Sequence, residues 1–379
     1  MARILFENGI LLEAQSFGAP GVVVGEAVFN TAMSGYEEVI SDPSYSGQFV
    51  VFSAPEIGVV GVNGQDCQSQ NNFCAGVVVR HYPTRYSNFR AKQSLGAFLN
   101  QHGVLGVSGV DTRALVGMLR DEGAMQAVIS TQDLEKHELQ TLLNHATKIA
   151  NLHLIPSLVH PKPNTQGVFD FRALDYPTLN PPFCVGVLDF GVKQNILNNL
   201  VQVGLKPLCF APDSKAGTLL EAYQRGEIRG VLISNGPGDP LKLTRATQEI
   251  ATLIEAKIPM LGICLGHQLL SIAHGYPTYK LRFGHHGSNH PVLNLATRRI
   301  EISAQNHNYC VGDRISQVAT ITHQNLFDGT IEGVRYLDSP IFSVQHHPEA
   351  SPGPSDGLYI FKEFARLLTY SPITKVRGF

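Results

Sequence analysis

The sequence predicts an α/β protein: an N-terminal α+β domain followed by a doubly wound, mostly parallel α/β domain. Three observations support this prediction. The chain has 379 residues, whereas one domain usually has roughly 100 to 200. Five prolines lie between His160 and Pro182, which is dense enough to stop regular structure. After this stretch, apolar strand-like runs alternate with helical patterns.

These observations divide the chain into three parts. We predict a first domain over residues 1–152, a linker over 153–182 and a second domain over 183–379. In the first domain, turn residues separate strand-like segments, and two helical patterns follow them. The predicted strands are 21–29, 48–52 and 75–79, and the predicted helices are 111–121 and 131–143.

The second domain repeats one unit, an apolar run followed by a helical pattern. This alternation predicts parallel strands joined by crossover helices. Ligands bind such sheets beyond the carboxyl ends of the strands, so we expect the functional residues there. The predicted strands are 183–188, 205–210, 230–233 and 258–263, and the predicted helices are 192–201, 215–225 and 244–256.

Composition excludes several classes of function. The 29 Lys and Arg nearly balance the 31 Asp and Glu, and no basic run is present, so neither nucleic acid nor a membrane is an expected partner. The apolar stretch 258–265 is too short to cross a bilayer. The six cysteines are scattered without a C-x-x-C pair, which predicts reduced thiols and a cytoplasmic protein.

Cofactor motifs are also missing from the sequence. Neither the G-x-x-x-x-G-K-[ST] loop nor a G-x-G-x-x-G turn between strand and helix occurs, so we expect no ATP, dinucleotide or other cofactor on this chain. Residues 284–291 contain three histidines, but no carboxylate or Cys follows at ligand spacing. We therefore expect no metal site there.

The sharpest local motif is G-x-C-x-G at residues 262–266, between a strand-like run and a helical pattern. This is the layout of a nucleophile elbow, in which the glycines allow a tight turn that exposes the nucleophile Cys264. A helix N-terminus there favours a thiolate and can stabilise an oxyanion. The pattern alone equally allows an ordinary buried cysteine.

A proton shuttle for this thiol is available at the end of a later apolar run. His347 would act as the base, and Glu349 would orient its ring. Alone, His-x-Glu is more typical of a surface turn, but together with the elbow it favours a Cys-His-Glu triad. If the strand continues, His346 and His347 point to opposite faces, so only one reaches the site.

A glycine-rich loop follows the third predicted strand of the second domain, at residues 234–240. The backbone at Gly236 and Gly238 could approach a ligand or form an oxyanion hole. A plain β–α turn is the simpler interpretation of a lone Gly-Pro-Gly.

Several motifs resemble those of a known family. GICLGHQL with the downstream HPE resembles the class I glutamine amidotransferases. Six further segments, spread over nearly the whole chain, resemble the carbamoyl-phosphate synthase small-chain family. They are SGYEEVISDPSYSGQ (34–48), ISNGPGDP (233–240), FGHHGSNHPV (283–292), AQNHNY (304–309), THQNLFDGT (322–330) and QHHPEASPGP (345–354).

The resemblance implies a class I glutamine amidotransferase domain at 183–379 and a glutaminase subunit. Cys264 would form a γ-glutamyl thioester, with His347 and Glu349 completing the triad. The first domain would contribute to the glutamine site and dock on the partner. By motif position, glutamine would be held by Ser44, Gly236, Gly238, Leu265, Gln268, Asn306, Asn308 and Tyr309.

The resemblance also implies a partner. The released ammonia would pass to a carbamoyl-phosphate synthase large chain, which would use bicarbonate and ATP, with ATP and a divalent metal bound on that chain. Whether the product feeds arginine or pyrimidine synthesis is not decided by the sequence. Two alternatives remain: a Cys-dependent γ-glutamyl hydrolase or peptidase on a related fold, and a non-catalytic partner-binding scaffold.

Three positions depart from the family pattern. His346 stands where Gly is more familiar, and Asn308 and Tyr309 stand where Gly and Phe are commoner. A Cβ at position 308 could require left-handed backbone geometry, which Asn tolerates well. His346 would either crowd the triad or contribute a hydrogen bond.

Overall fold

A computed structural model describes residues 1–71, 73–148, 154–155 and 183–370. The linker predicted at 153–182 lies almost entirely outside these residues, so its limits stay a prediction. Along the described ranges, every helix is too short or too polar to cross a membrane.

The chain forms two compact units. Unit 1 consists mainly of the N-terminal part of the chain, and unit 2 of the C-terminal part, with two short later segments belonging to unit 1. Unit 1 is Met1–Leu154, Leu281–Gly287 and Ser351–Gly353; unit 2 is Ile155–Lys280, Ser288–Ala350 and Pro354–Phe379.

The described residues of unit 1 form seven strands and four α-helices. The strands are β1 Ala2–Phe6, β2 Leu11–Ser16, β3 Val22–Asn30, β4 Gln48–Phe52, β5 Gly76–Val78, β6 Leu105–Ser108 and β7 Met125–Ser130. The helices are α1 Tyr36–Ile40, α2 Leu95–Gln101, α3 Thr112–Glu122 and α4 Lys136–His145. The sheet closes on itself in the order β1-β2-β6-β5-β4-β3-β7.

The strands and first helix predicted for this unit are confirmed to within two residues. The second helix, predicted at 131–143, is wrong at its start because β7 extends to Ser130 and α4 begins only after Glu135. The backbone N–H of Glu135 donates to Oε2 of Glu138 over 2.7 Å. This capping box fixes the start of the helix.

In unit 2, the part of the chain that the structure describes contains nine strands and five α-helices. The strands are β8 Phe183–Leu188, β9 Leu205–Phe210, β10 Val231–Ile233, β11 Met260–Ile263, β12 Thr278–Asn294, β13 Ile300–Val311, β14 Ala319–Asn325, β15 Ile331–Tyr336 and β16 Ile341–Val344. The helices are α5 Gln194–Gln202, α6 Ala216–Gln224, α7 Thr244–Glu255, α8 Leu265–Ala273 and α9 Tyr359–Tyr370.

The nine strands form one sheet in the order β13-β12-β14-β15-β16-β11-β10-β8-β9. The five strands from β16 to β9 are parallel to their neighbours. From β16 outward, the sheet continues in antiparallel pairs with β15 and β14. The predicted α/β class is therefore confirmed, and the sheet is mixed, with an antiparallel half.

Helices cover both faces of this sheet. One hydrophobic core contains side chains of α6, α7 and α8, and the other contains side chains of α5 and α9. Neighbouring residues of one strand alternate between these cores: Ile233 packs in the first and Leu232 in the second. This alternation follows from the two-residue period of a strand and produces the doubly wound architecture.

Candidate active site

Four parallel strands end at the same level of the unit 2 sheet. Leu188 of β8 pairs with Ile233 of β10, and Ile263 of β11 pairs with Val344 of β16. Because the strands are parallel, the segments that follow them meet at one sheet edge. These segments contain, in chain order, Lys193, the glycine-rich loop 234–240, Cys264 and the segment 345–349.

Cys264 lies at the turn from β11 to α8. It is the N-cap residue of α8, with φ of 53° and ψ of −103°. A positive φ is unusual for a residue with a side chain and is characteristic of the sharp turn of a nucleophile elbow. The thiol is buried and its Sγ lies 3.5 Å from the carbonyl oxygen of Asn306. The local geometry thus matches the predicted elbow.

The two glycines of this motif are required by close backbone packing. A Cβ on Gly262 would lie 2.7 Å from the carbonyl group of Gly266, and a Cβ on Gly266 would lie 2.1 Å from the carbonyl oxygen of Ile233. Neither backbone atom can move away without shifting a strand or helix. The glycines therefore allow α8 to start directly above β10 and β11.

We expect Gly266→Ala to destabilise the chain by about 1–3 kcal/mol or more, because its Cβ would overlap the backbone of β10. Urea unfolding followed by circular dichroism measures this change. The matched control is Gly217→Ala in α6, where no heavy atom lies within 4 Å of the new Cβ. Equal urea midpoints for the two variants would contradict the packing argument.

His347 and Glu349 form a buried pair just beyond β16. Nδ1 of His347 lies 2.7 Å from Oε1 of Glu349, and both side chains are almost completely buried. Since a carboxylate can only accept, Nδ1 is the donor, and Nε2 is the ring nitrogen left for proton transfer. The backbone N–H of His347 donates to the carbonyl of Ala304 over 2.9 Å. Ring and backbone are thus both held in place.

Lys193 completes this arrangement, and the sequence prediction missed it. Its Nζ lies 2.9 Å from Oε1 of Glu349 and donates to the carbonyl oxygen of Ala350 over 2.6 Å. The side chain is only 2% exposed. One signal could have identified Lys193: it lies five residues beyond the first predicted parallel strand, at the carboxyl-end edge where such sheets place functional residues.

These contacts shift the pKa values of Glu349 and His347. Burial by itself raises the pKa of Glu349, but Lys193 and His347 outweigh it and hold that pKa well below its usual range. Burial lowers the pKa of His347, while Glu349 and Cys264 raise it to a net value above the ordinary one. The imidazolium form of His347 is therefore favoured, and this form is the partner that a thiolate requires.

The structure brings several predicted glutamine-binding residues together around Cys264. Leu265 and Gln268 lie in α8, and Nε2 of Gln268 donates to the carbonyl oxygen of Tyr309 over 2.8 Å. A Cβ on Gly236 would lie 3.0 Å from the side chain of Leu265. Asn306 is the residue whose carbonyl faces the thiol.

Three further predicted glutamine residues are Gly238, Ser44 and Asn308. Gly238 has a φ of 94°, and a Cβ there would meet no heavy atom within 4 Å. Ser44 lies in unit 1, in the short 3-10 turn Pro43–Tyr45. The side chain of Asn308 is partly exposed. Their roles in glutamine binding stay predictions.

Two of the three departures from the family pattern are explained by the structure. Asn308 lies within β13 and is not among the residues with positive φ, so the expectation of left-handed geometry at 308 is wrong. The strand continues through this position, and extended backbone accepts any side chain. His346 is buried, and its Nδ1 lies 3.6 Å from Oε2 of Glu332, which favours a polar contact over crowding of the triad.

Comparison with known proteins identifies the family. The family described as the carbamoyl-phosphate synthase small chain, CPSase domain, matches residues 4–129, and class I glutamine amidotransferase matches residues 186–367. The carbamoyl phosphate synthase small chain of Helicobacter pylori strain J99 is 58% identical over 373 residues, which cover 97% of this chain and 99% of that relative. The chain belongs to the carbamoyl-phosphate synthase small-chain family.

More distant members of the family match over the same length. The small chain of Campylobacter jejuni is 51% identical, covering 97% of this chain and all of the relative. That of Aquifex aeolicus is 42% identical, covering 97% of this chain and 98% of the relative. Unit 2 contains a class I glutamine amidotransferase domain, and the chain is a glutamine-hydrolysing amidotransferase subunit. The resemblance inferred from the motifs is confirmed.

Proposed function

We propose that this small chain hydrolyses glutamine through Cys264, His347 and Glu349 and passes the ammonia to a carbamoyl-phosphate synthase large chain. One observation carries the proposal. The strained elbow that holds Cys264 and the buried His347–Glu349 pair follow adjacent parallel strands, β11 and β16. A nucleophile, a base and a residue that orients the base thereby occupy one sheet edge.

In the first half-reaction, Nε2 of His347 takes the thiol proton and Sγ of Cys264 attacks the side-chain carbonyl carbon of glutamine. The N-terminal turn of α8 has backbone N–H groups without helical partners, which can stabilise the oxyanion that forms. The C–N bond then breaks, His347 returns its proton to the leaving nitrogen, and ammonia departs. A γ-glutamyl thioester on Cys264 remains.

The second half-reaction restores the enzyme. His347 takes a proton from water, whose oxygen attacks the thioester carbonyl carbon. The C–S bond then breaks, glutamate leaves, and His347 returns the proton to Sγ of Cys264. Throughout, Glu349 holds the imidazole by its Nδ1 and stabilises the imidazolium form. Lys193 keeps Glu349 ionised for this purpose.

Glutamine binding in this proposal follows the predicted set. Leu265 and Gln268 of α8 and the loop residues Gly236 and Gly238 would contact the substrate. Asn306, Asn308 and Tyr309 of β13 would complete the set. Ser44 would be supplied by unit 1.

The proposed partner supplies the rest of the reaction. The large chain would bind ATP and a divalent metal and convert ammonia and bicarbonate to carbamoyl phosphate. Membership in the small-chain family supports this division of labour, as does the lack of phosphate-binding motifs in this sequence.

The test is glutamate release from glutamine by the purified chain, alone and with a carbamoyl-phosphate synthase large chain, ATP and bicarbonate. We expect turnover to rise by at least about tenfold with the partner and nucleotide, since partner binding can complete a catalytic arrangement. Omission of ATP and of the large chain are the controls. No turnover in either setting, with binding of the large chain demonstrated, would contradict the proposal and favour a non-catalytic scaffold.

A further inference from the structure

Glu332 is a buried carboxylate of β15 that the proposed mechanism does not use. It has no exposed surface. Its Oε1 accepts a hydrogen bond from Nδ2 of Asn325 over 2.8 Å, and its Oε2 lies 3.6 Å from Nδ1 of His346. An ionised carboxylate is costly to bury unless charged and hydrogen-bonding groups face it.

His346 lies where the chain crosses from one strand to another. Strand β16 ends at Val344, and the next backbone N–H, that of Gln345, donates to the carbonyl of Glu332 over 2.8 Å. Two residues later, the backbone N–H of His347 donates to Ala304 of β13. His346 thus lies between Gln345, whose backbone is bonded to β15, and His347, whose backbone is bonded to β13. Its side chain turns back toward Glu332, and the 3.6 Å separation of Nδ1 and Oε2 is an ion-pair contact that is longer than a hydrogen bond.

A second histidine, His307 of β13, also acts on this carboxylate. Its Nδ1 lies 2.9 Å from the carbonyl oxygen of Tyr309, and its Nε2 lies 3.0 Å from Oε1 of Gln305. Burial alone would raise the pKa of Glu332, but His346 and His307 hold it far below its usual range. Glu332 therefore remains negative, with one histidine next to the triad and another in the strand that faces Cys264.

We propose that Glu332 is a positioning residue of the glutaminase site, which acts through His346 to hold the backbone that presents His347 to Cys264. This inference rests on the proposed function. In this role Glu332 acts through His346 and not on the substrate or the reacting atoms. The Glu332 carboxylate lies beside residues 345–347, the segment that passes from a contact with β15 to a contact with β13. Because His346 and His347 are adjacent in the chain, a shift of this segment would move His347 directly. A small misplacement of a catalytic base is enough to reduce turnover greatly.

Two variants of Glu332 separate the effect of its charge from the effect of its size. Glu332→Gln retains the size of the side chain and an acceptor for Asn325 but removes the charge opposite His346. With the full chain and its large-chain partner, we expect kcat for glutamine hydrolysis to fall about 10-fold or more, with KM for glutamine changed less than about threefold. Glu332→Asp retains the charge and is expected to recover part of the lost kcat.

A double-mutant cycle tests the route through His346. His346→Gln is expected to lower kcat as Glu332→Gln does, and the double variant is expected to lose little more than either single variant, because both remove the same interaction. The matched control is Glu249→Gln in α7, which removes a carboxylate of unit 2 that caps Ala216. Its kcat should equal that of the unmodified chain.

A second measurement does not depend on glutamine turnover. The rate at which iodoacetamide alkylates Cys264 reports the pairing of its thiol with His347, and we expect Glu332→Gln to slow it at least about fivefold relative to Glu249→Gln. If the unmodified chain hydrolyses no glutamine, the proposed function fails, and the alkylation rates still decide the role of Glu332.

Three results would overturn the positioning role: kcat and alkylation equal to those of the control, independent and additive effects in the cycle, or a rise in KM with kcat retained. The last result would instead assign Glu332 to glutamine binding through His307.

Discussion

Cys264→Ala is expected to lower glutamine hydrolysis by about 10⁴-fold or more while the chain remains folded. The substitution removes the sulfur that forms the proposed thioester, and no other group can replace a covalent nucleophile. Because the loss falls on the chemical step, we expect it in kcat, with glutamine binding largely retained. Glutamate release, with isothermal titration of glutamine binding, measures both quantities.

The matched control for this prediction is Cys209→Ala. Cys209 is a partly buried cysteine of β9 in the same unit, and burial raises its pKa to about 12, which keeps it an unreactive thiol. Its replacement should leave turnover unchanged. Turnover of Cys264→Ala within tenfold of that of the Cys209→Ala control would show that another group performs the reaction, and the elbow would then be a structural turn only.

Lys193→Met is expected to destabilise the chain by about 3–5 kcal/mol at pH 7, the usual cost of leaving one member of a buried ion pair without its partner. Met has a similar length and fills the space, so the loss reports the charge of Glu349. The proposed reaction should also slow, because an uncompensated Glu349 tends to take up a proton and then no longer stabilises the imidazolium of His347. Urea unfolding and kcat are the two measurements.

The loss of stability in Lys193→Met is expected to depend on pH with a definite sign. In the folded chain, the pKa of Glu349 lies below its ordinary value of 4.5, so its ionisation contributes stability above about pH 4.5 that disappears as the pH falls toward the lowered value. Lys193 provides part of this contribution. The deficit of Lys193→Met relative to the unmodified chain should therefore be largest at neutral pH and should shrink below about pH 4.

A double substitution provides the control for the Lys193 prediction. Lys193→Met combined with Glu349→Leu removes both charges, and we expect it to be more stable than Lys193→Met alone, because no buried charge is left without a partner. If the double variant were the less stable of the two, the destabilisation would come from lost packing around the lysine stem and not from the carboxylate. Only stability is compared, because Glu349 belongs to the proposed triad.

Local sequence patterns were sufficient to predict many of the strands and the turn at Cys264. The runs 183–188 and 205–210 are strands with the predicted limits. The run 183–188 is continuously apolar, as expected for a strand inside a sheet that is covered on both faces. The G-x-C-x-G motif predicted the elbow at Cys264, because only glycine tolerates the backbone approaches found at 262 and 266. In both cases, the information lies within a few consecutive residues.

Other elements depended on contacts that are remote in sequence. The antiparallel half of the unit 2 sheet was not predicted, because its strands carry many polar residues that only pairing across the sheet accommodates. The start of α4 was predicted too early because the extent of β7 depends on its pairing with β3.

By itself, the sequence determined the α/β class, the family and the three residues of the proposed triad. Each of these can be inferred from a short motif or from the period of the apolar residues. Only the tertiary structure decided that Lys193 faces Glu349 and that Glu332 faces His346. The partners of these two pairs lie 156 and 14 positions apart in the chain. A buried charge is stable only beside a compensating group, and which group is near depends on how the strands are ordered in the sheet, not on the residues that flank it.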